Sequence, residues 1–206
     1  MSAIQLIALA SSVSLLAGWR LYFVTLVTGL AMKLGWIALP EQLHALDVLA
    51  SNWILGIAAV GTFAEFFTDK IAWVDSAWDA IHSVIRPLGG ALLSMAIIDA
   101  GDPGWQVASF LLGGAAAFTA HAGKAGARTL VNASPEPFSN VVVSTAEDVT
   151  TAGLLALAIA NPIAAALIAA ILVIFSLWLV LAARRALKSM IEAGRRLTRP
   201  VEPDRP

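Results

Sequence analysis

Long apolar runs alternate with short polar breaks along this chain, and inside several runs the polar residues recur at helical spacing. In "VDSAWDAIHSVIRP", Asp75, Asp79, His82 and Arg86 fall at i, i+4, i+7 and i+11, a narrow stripe on one helix face. The positions around it, among them Trp73, Val74, Trp78, Ile81, Val84 and Ile85, are apolar. The apolar runs cover residues 3–18, 21–38, 51–68, 88–100, 105–122, 139–160 and 162–183. A bilayer crossing takes about 20 apolar residues, so the pattern predicts an all-α, polytopic transmembrane bundle of six or seven segments. Residues 3–18 are short enough for a re-entrant segment. The run 88–100 reaches only about 20 Å at 1.5 Å per residue, which fits a half-span or the second part of a kinked helix that begins before Pro87.

Composition agrees. Of 206 residues, 59% are hydrophobic and 13% charged, whereas soluble domains carry about 25% charged residues. The net charge of −1 gives no electrostatic footprint for nucleic acid. The absence of cysteine excludes disulfides, thiolate metal sites and cysteine nucleophiles. The first residues, "MSAIQLIALASS", lack a basic region ahead of the apolar run, so a retained first span is expected rather than a cleaved signal. Residues 1–185 read as the membrane domain and 186–206 as a basic, proline-bearing cytoplasmic tail that frays into disorder.

Charge distribution sets an expected orientation. With alternating segments and a cytoplasmic C-terminus, Arg20, Lys70, Arg86, Lys124, Arg128 and the whole tail fall inside, and only Lys33 falls outside. That is N-out, C-in. Two triplets of segments then run in the same sense, 3–18/21–38/51–68 and 105–122/139–160/162–183, a weak 3+1+3 repeat around 88–100 of a kind found in transporters.

The opening stripe has counterparts. In "GTFAEFFTDK", Thr62, Glu65 and Asp69 share a face and Lys70 follows; in "FTAHAGKAGARTLVN", His121, Lys124 and Arg128 fall at i, i+3 and i+7. In "SNVVVSTAEDVTT", Asn140, Ser144, Glu147 and Thr151 repeat the spacing of the first stripe, with Asp148 beside them. Arg20 follows the break "AGW". A charge in the membrane costs ~3 kcal/mol or more and turns toward the bundle interior. The stripes are therefore expected to meet around one polar cavity open to the cytoplasm. Competing readings are a surface amphipathic helix for 75–86, basic helix ends against headgroups for 121–128, and polar glue between helices for 140–151. In "NASPEPFSN", Pro135 and Pro137 cannot extend the preceding helix. With Asn132, Ser134 and Glu136 they make a candidate wall or gate, to which Arg20 and Lys70 are added. The run 162–183 is apolar all round and is expected to face lipid or a second copy of the chain.

Together "EFFTDK", "DSAWDAIHSVIRP", "HAGKAGARTLVNASPEPFSN" and "ED" resemble the bacterial membrane family known as Domain of Unknown Function 4126, over roughly residues 15–185. The arginine–proline pair of that family's early break is here Arg20–Leu21. The resemblance implies a polytopic inner-membrane protein and brings no activity with it.

Function has to come from the residues. The reading expected first is a transporter or channel-like carrier for a small ion or polar solute, with a bound cation as the candidate cofactor. Asp75, Asp79 and Glu147 would take the cation or proton, His82 and His121 would titrate near neutral pH, and Arg86, Lys124 and Arg128 would bind an anion or lock a closed state. An alternative is a metal-dependent enzyme acting on a lipid-linked phosphate, with Asp75, Asp79 and His82 at metal-ligand spacing. No lipid phosphotransferase signature and no Ser/His/Asp arrangement stands out, so the sequence leans away from an enzyme. A structural or accessory membrane subunit is the third reading.

Overall fold

The computed structural model describes residues 2–35, 47–98, 101–132 and 138–197. They form six helices and, among the described residues, no strand: α1 (Ala3–Lys33), α2 (Asn52–Thr68), α3 (Ala72–Ile98), α4 (Pro103–Asn132), α5 (Phe138–Ala160) and α6 (Pro162–Leu197). Local chemistry sets the starts. Ser2 and Gln5 make a reciprocal capping box on α1, and the Ser51 hydroxyl accepts from the Ile54 N–H at the head of α2. Asp102 and Asn161 accept from the first free N–H groups of α4 and α6, and each of those helices opens with proline, whose missing N–H costs nothing there.

α1 is broken at Arg20, whose φ of −142° and ψ of 71° are not helical. Its contacts show that the chain turns back on itself there. In the first arm, the Ser14 hydroxyl donates to the Gly90 carbonyl, and Ala10 and Val13 share a core with Leu93 and Ile97, so this arm runs against α3. In the second arm, Tyr22 abuts Gly61, Gly29 faces Leu49 and Leu55, and Lys33 bonds Asn52, so this arm runs against α2. α2 in turn runs against α3, with Ile54 and Ala58 beside Leu93 and Ala96. The two arms of α1 are therefore antiparallel, with Arg20 at the tip. By length and composition α1 would count as one crossing helix; by its contacts it is a hairpin entering from one side. The break expected between 3–18 and 21–38 lies where the sequence placed it.

The short run 88–100 is no separate element. It continues 72–86 across Pro87 as one helix, and α4 extends ten residues past the expected 122. Proline inside an apolar helix is tolerated where neighbouring groups take up the freed backbone. α6 likewise runs unbroken to Leu197, so the apolar segment and the start of the basic tail share one helix.

Four described helices are long and apolar enough to cross a membrane: Ile4–Lys33, Trp73–Ile98, Phe138–Ala160 and Pro162–Ser189. At the waist of the bundle, backbones approach closely. A β-carbon at Gly18 would collide with the Ala117 carbonyl, one at Gly90 with the Ala117 side chain, and one at Gly113 with Ser94. This contact seats the α1 hairpin tip between α3 and α4. On one side lie the chain ends near residues 3, 33, 52, 98, 103 and 161; on the other, the charged end, lie the tip at Arg20, the turn 69–71 and the facing ends of α4 and α5.

Candidate functional site: a buried ionic network

The charged end gathers side chains from five helices. Arg20, Glu65, Asp69, Asp75, Arg86 and Arg128 are each no more than 1% exposed. Around the stripe of α3, Trp73, Ile81 and Val84 are more than half exposed, while Asp75, Asp79, His82 and Arg86 are buried. The stripe faces inward.

Asp69, which ends α2, is the hub of the lower layer. Its Oδ2 lies 2.6 Å from Arg20 Nη1, 2.7 Å from Lys124 Nζ and 3.4 Å from Arg128 Nη2. Glu147 Oε2 stands 3.4–3.7 Å from the same three cations, and Asp148 is 2.9 Å from Arg20. Arg20 also donates to the carbonyl and hydroxyl of Ser144. Arg128 donates to Asn140 Oδ1 at 2.9 Å and lies 3.9 Å from Asp75, which accepts from Asn132. Lys70 donates to the Phe66 carbonyl and to Ser144, and sits over the Phe66 ring. Burial alone would raise the Asp69 carboxyl, but Lys124 and Arg20 outweigh it and hold it well below the usual carboxylate range. Burial pushes the Lys70 ammonium down, against the attraction of Asp148.

The upper layer is built on Arg86. Its guanidinium lies 2.6 Å from Glu65, 3.0 Å from Asp79 and 2.8 Å from His121 Nδ1. A guanidinium only donates, so Nδ1 of His121 accepts, and its Nε2–H faces the Asp79 carbonyl at 3.1 Å and Ser83 Oγ at 3.2 Å. His82 directs Nδ1 to the Trp78 carbonyl at 2.8 Å, its Nε2 lies 3.0 Å from the Tyr22 hydroxyl, and its ring stacks on Trp78. Both imidazoles are held by fixed partners, His121 between Arg86 and the Asp79 carbonyl and His82 between Trp78 and Tyr22.

The metal triad expected at Asp75, Asp79 and His82 does not assemble. Asp75 turns to Asn132, Asp79 to Arg86 and His82 to Tyr22, and no three His, Asp or Glu side chains among the described residues could hold a metal ion. Helical spacing put the three on one face but could not show that each meets a different neighbour. Glu136, Pro135 and Pro137, with Ser134, lie outside the described residues.

In place of one chamber, the ion pairs fill the space among the stripes and open space lies at its edges. A polar pocket of about 190 Å³ sits between α3 and α4, bordered by Asp75, Ser76, Asp79, Ser83, Arg128 and Asn132. An apolar cleft of about 530 Å³ runs between the second arm of α1, α2 and α5, and ends at Arg20, Glu65 and Asp148. The sequence reading passed over Tyr22 and Ser83, which fix the two histidines. Tyr22 is the single tyrosine of the chain, two residues past the break, and that signal was available.

Fold and site define a multi-pass helical membrane protein whose interior carries a cross-linked ionic network at one end. The chain belongs to the family described as Domain of unknown function (DUF4126), which matches residues 7–182. No curated protein and no solved structure matches it.

Proposed function

We propose that the protein is a transporter or channel-like carrier for a small ion or polar solute, seated in the bacterial inner membrane with its charged end toward the cytoplasm. The positions of Arg20, Lys70, Lys124 and Arg128 at that end, against Lys33 at the other, support N-out, C-in. The two arms of α1 and α2 run in the same senses as α4, α5 and α6, which supports the 3+1+3 repeat.

One observation carries the reading. The polar pocket between α3 and α4 borders a network in which the cations have more than one carboxylate in reach. Arg128 is 3.4 Å from both Asp69 and Glu147 and 3.9 Å from Asp75, which lines the pocket. A proton or cation arriving at Asp75 or Asp79 would release Arg128 or Arg86 to its other partner, so binding and pair exchange are coupled. A volume of about 190 Å³ holds several waters at roughly 30 Å³ each, or one small solute. The phosphoryl-enzyme alternative finds no such support, since its proposed ligands face apart.

Reconstitution tests it. Liposomes with a trapped pH indicator and an imposed potassium diffusion potential should show proton or ion flux that Asp79→Asn abolishes while the variant stays folded. The reading is lost if the folded protein moves no protons, sodium, potassium, chloride or phosphate above empty liposomes.

A further inference from the structure

The cleft of about 530 Å³ is chemically unlike the polar pocket, and the transport reading does not use it. Its walls are Phe23 and Leu26 from α1 and Ala59, Phe63, Phe66 and Phe67 from α2. The four α2 residues are exposed at the protein surface, so the cleft opens sideways toward the bilayer. The carboxylates at its inner end are engaged, Glu65 by Arg86 and Asp148 by Arg20, and the apolar walls decide what fills it. Water leaves apolar space of this kind empty, whereas lipid tails, as apolar as leucine, suit it.

Length and charge say which part of a lipid. From Ala59 to Phe67 the lining face of α2 runs about 12 Å at 1.5 Å per residue, close to the roughly 15 Å depth of one leaflet of a 30 Å hydrocarbon core. Trp53 at the head of α2 and Trp73 just past Lys70 are 84% and 77% exposed, as the residues of the two interfacial belts are. Lys70 therefore stands at headgroup level. Arg20, Arg86, Lys124 and Arg128 each have a carboxylate at 3.4 Å or closer. The partners of Lys70 among the described residues are instead the Phe66 carbonyl, the Ser144 hydroxyl and the face of the Phe66 ring. Carbonyl and hydroxyl take two of the three ammonium N–H donors, and the third is left for an acceptor from outside. Phe66 is both a wall of the cleft and the ring beneath Lys70, so that donor sits at the rim.

We propose that this cleft holds one acyl chain of a glycerophospholipid from the leaflet at the charged end, with the lipid phosphate on Lys70. The chain lies against Phe63, Phe66 and Phe67 and fills the gap that α2 leaves beside α5. The site stands apart from the polar pocket, and binding there does not depend on flux.

The test is native mass spectrometry of the full-length protein in mild detergent, titrated with dioleoylphosphatidylglycerol or with dioleoylglycerol, which has the same chains and no phosphate. One phosphatidylglycerol retained per chain is expected, with dioleoylglycerol about tenfold weaker. Lys70→Gln should weaken phosphatidylglycerol about tenfold, the scale of one charge-assisted contact, and leave dioleoylglycerol unchanged. Ala59→Trp, which puts an indole into the cleft, should weaken both lipids. Val60→Trp, at an exposed position of α2 outside the cleft lining, should weaken neither. Ala59 and Val60 are exposed and Lys70 is part-exposed, so the unfolding midpoint of each variant should stay within a few degrees. Equal binding of the two lipids would remove the phosphate from the site and overturn the proposal. So would the absence of a retained lipid, retention that Ala59→Trp leaves unchanged, or a loss in Val60→Trp as large as in Ala59→Trp, which would mark a general annulus of lipid rather than a site.

Discussion

The waist of the bundle and its charged end are held together by opposite means. At the waist, Gly18, Gly90 and Gly113 let backbones touch, and Ser12 and Ser14 give their hydroxyls to the carbonyls of Ala8 and Gly90. Contacts of that kind have one solution, because close-packed atoms have no second place to go. At the charged end, Glu65, Asp69, Asp75 and Asp148 each keep one buried oxygen without a hydrogen bond among the described residues, and Arg20, Arg86 and Arg128 keep a buried Nε in the same state. A purely structural polar core is expected to satisfy its members. The waist fixes where the helices stand; under the transport reading proposed above, the groups left without partners at the charged end are the ones that pair exchange would use.

The largest effect should come from the hub. Asp69→Asn leaves Arg20, Lys124 and Arg128 gathered in a buried site without the carboxylate that Arg20 and Lys124 approach most closely and that Arg128 approaches as closely as Glu147. Stranding buried charge costs about 3–5 kcal/mol, enough to unfold many proteins. Thermal unfolding in detergent should show a drop of many degrees or no folded material. An unchanged midpoint would mean that Glu147 and Asp148 alone satisfy the cations, and the hub would lose its rank.

Acid probes the same carboxylate less severely. The folded pKa of Asp69 lies below its unfolded value, so its contribution is complete above about pH 4, the ordinary aspartate value, and is lost as pH falls through the lower folded value. His121, placed as an acceptor toward Arg86, takes up its proton on unfolding, so the midpoint should already slope down below about pH 6.5, and the Asp69 contribution is read as a further, steeper decline below about pH 4. A midpoint that rises with acid would show the folded network taking up protons more readily than the unfolded chain, against this assignment.

Gly18→Ala tests the waist. The new methyl meets the Ala117 backbone carbonyl, which no side-chain rotation relieves. Overpacking of this kind costs about 1–3 kcal/mol, read as a lowered midpoint. If alanine is accepted without loss, the α1 tip is not wedged against α4 and the rigid half of the comparison falls.

Much of this was legible in the chain. The break at Arg20, the inward stripe of α3 and the convergence of charged faces follow from apolar runs and helical spacing alone. Three things were not. Pro87 left a half-span and one helix continued through it both open on sequence alone, and α3 takes the second course. The three aspartate and histidine positions on α3 look like ligands of one metal because spacing reports the face a residue occupies, not the partner it meets there. The phenylalanines of α2 drew no reading of their own, since nothing in Phe63, Phe66 and Phe67 shows that they flank an open cleft with Glu65 at its end.

The smallest effect sharpens the contrast from the other side. Gly153 lies on α5 with nothing within 4 Å of where a β-carbon would sit, and its helix is intact. Glycine inside a helix costs up to about 1 kcal/mol relative to alanine, so Gly153→Ala should leave stability unchanged or raise the midpoint by a few degrees. Paired with Gly18→Ala it separates two explanations of glycine here. If both variants fall equally, glycine matters through general backbone freedom in these helices. If Gly18→Ala falls and Gly153→Ala does not, contact between backbones at the waist is the cause, and the hairpin tip is held by shape rather than by the charges beside it.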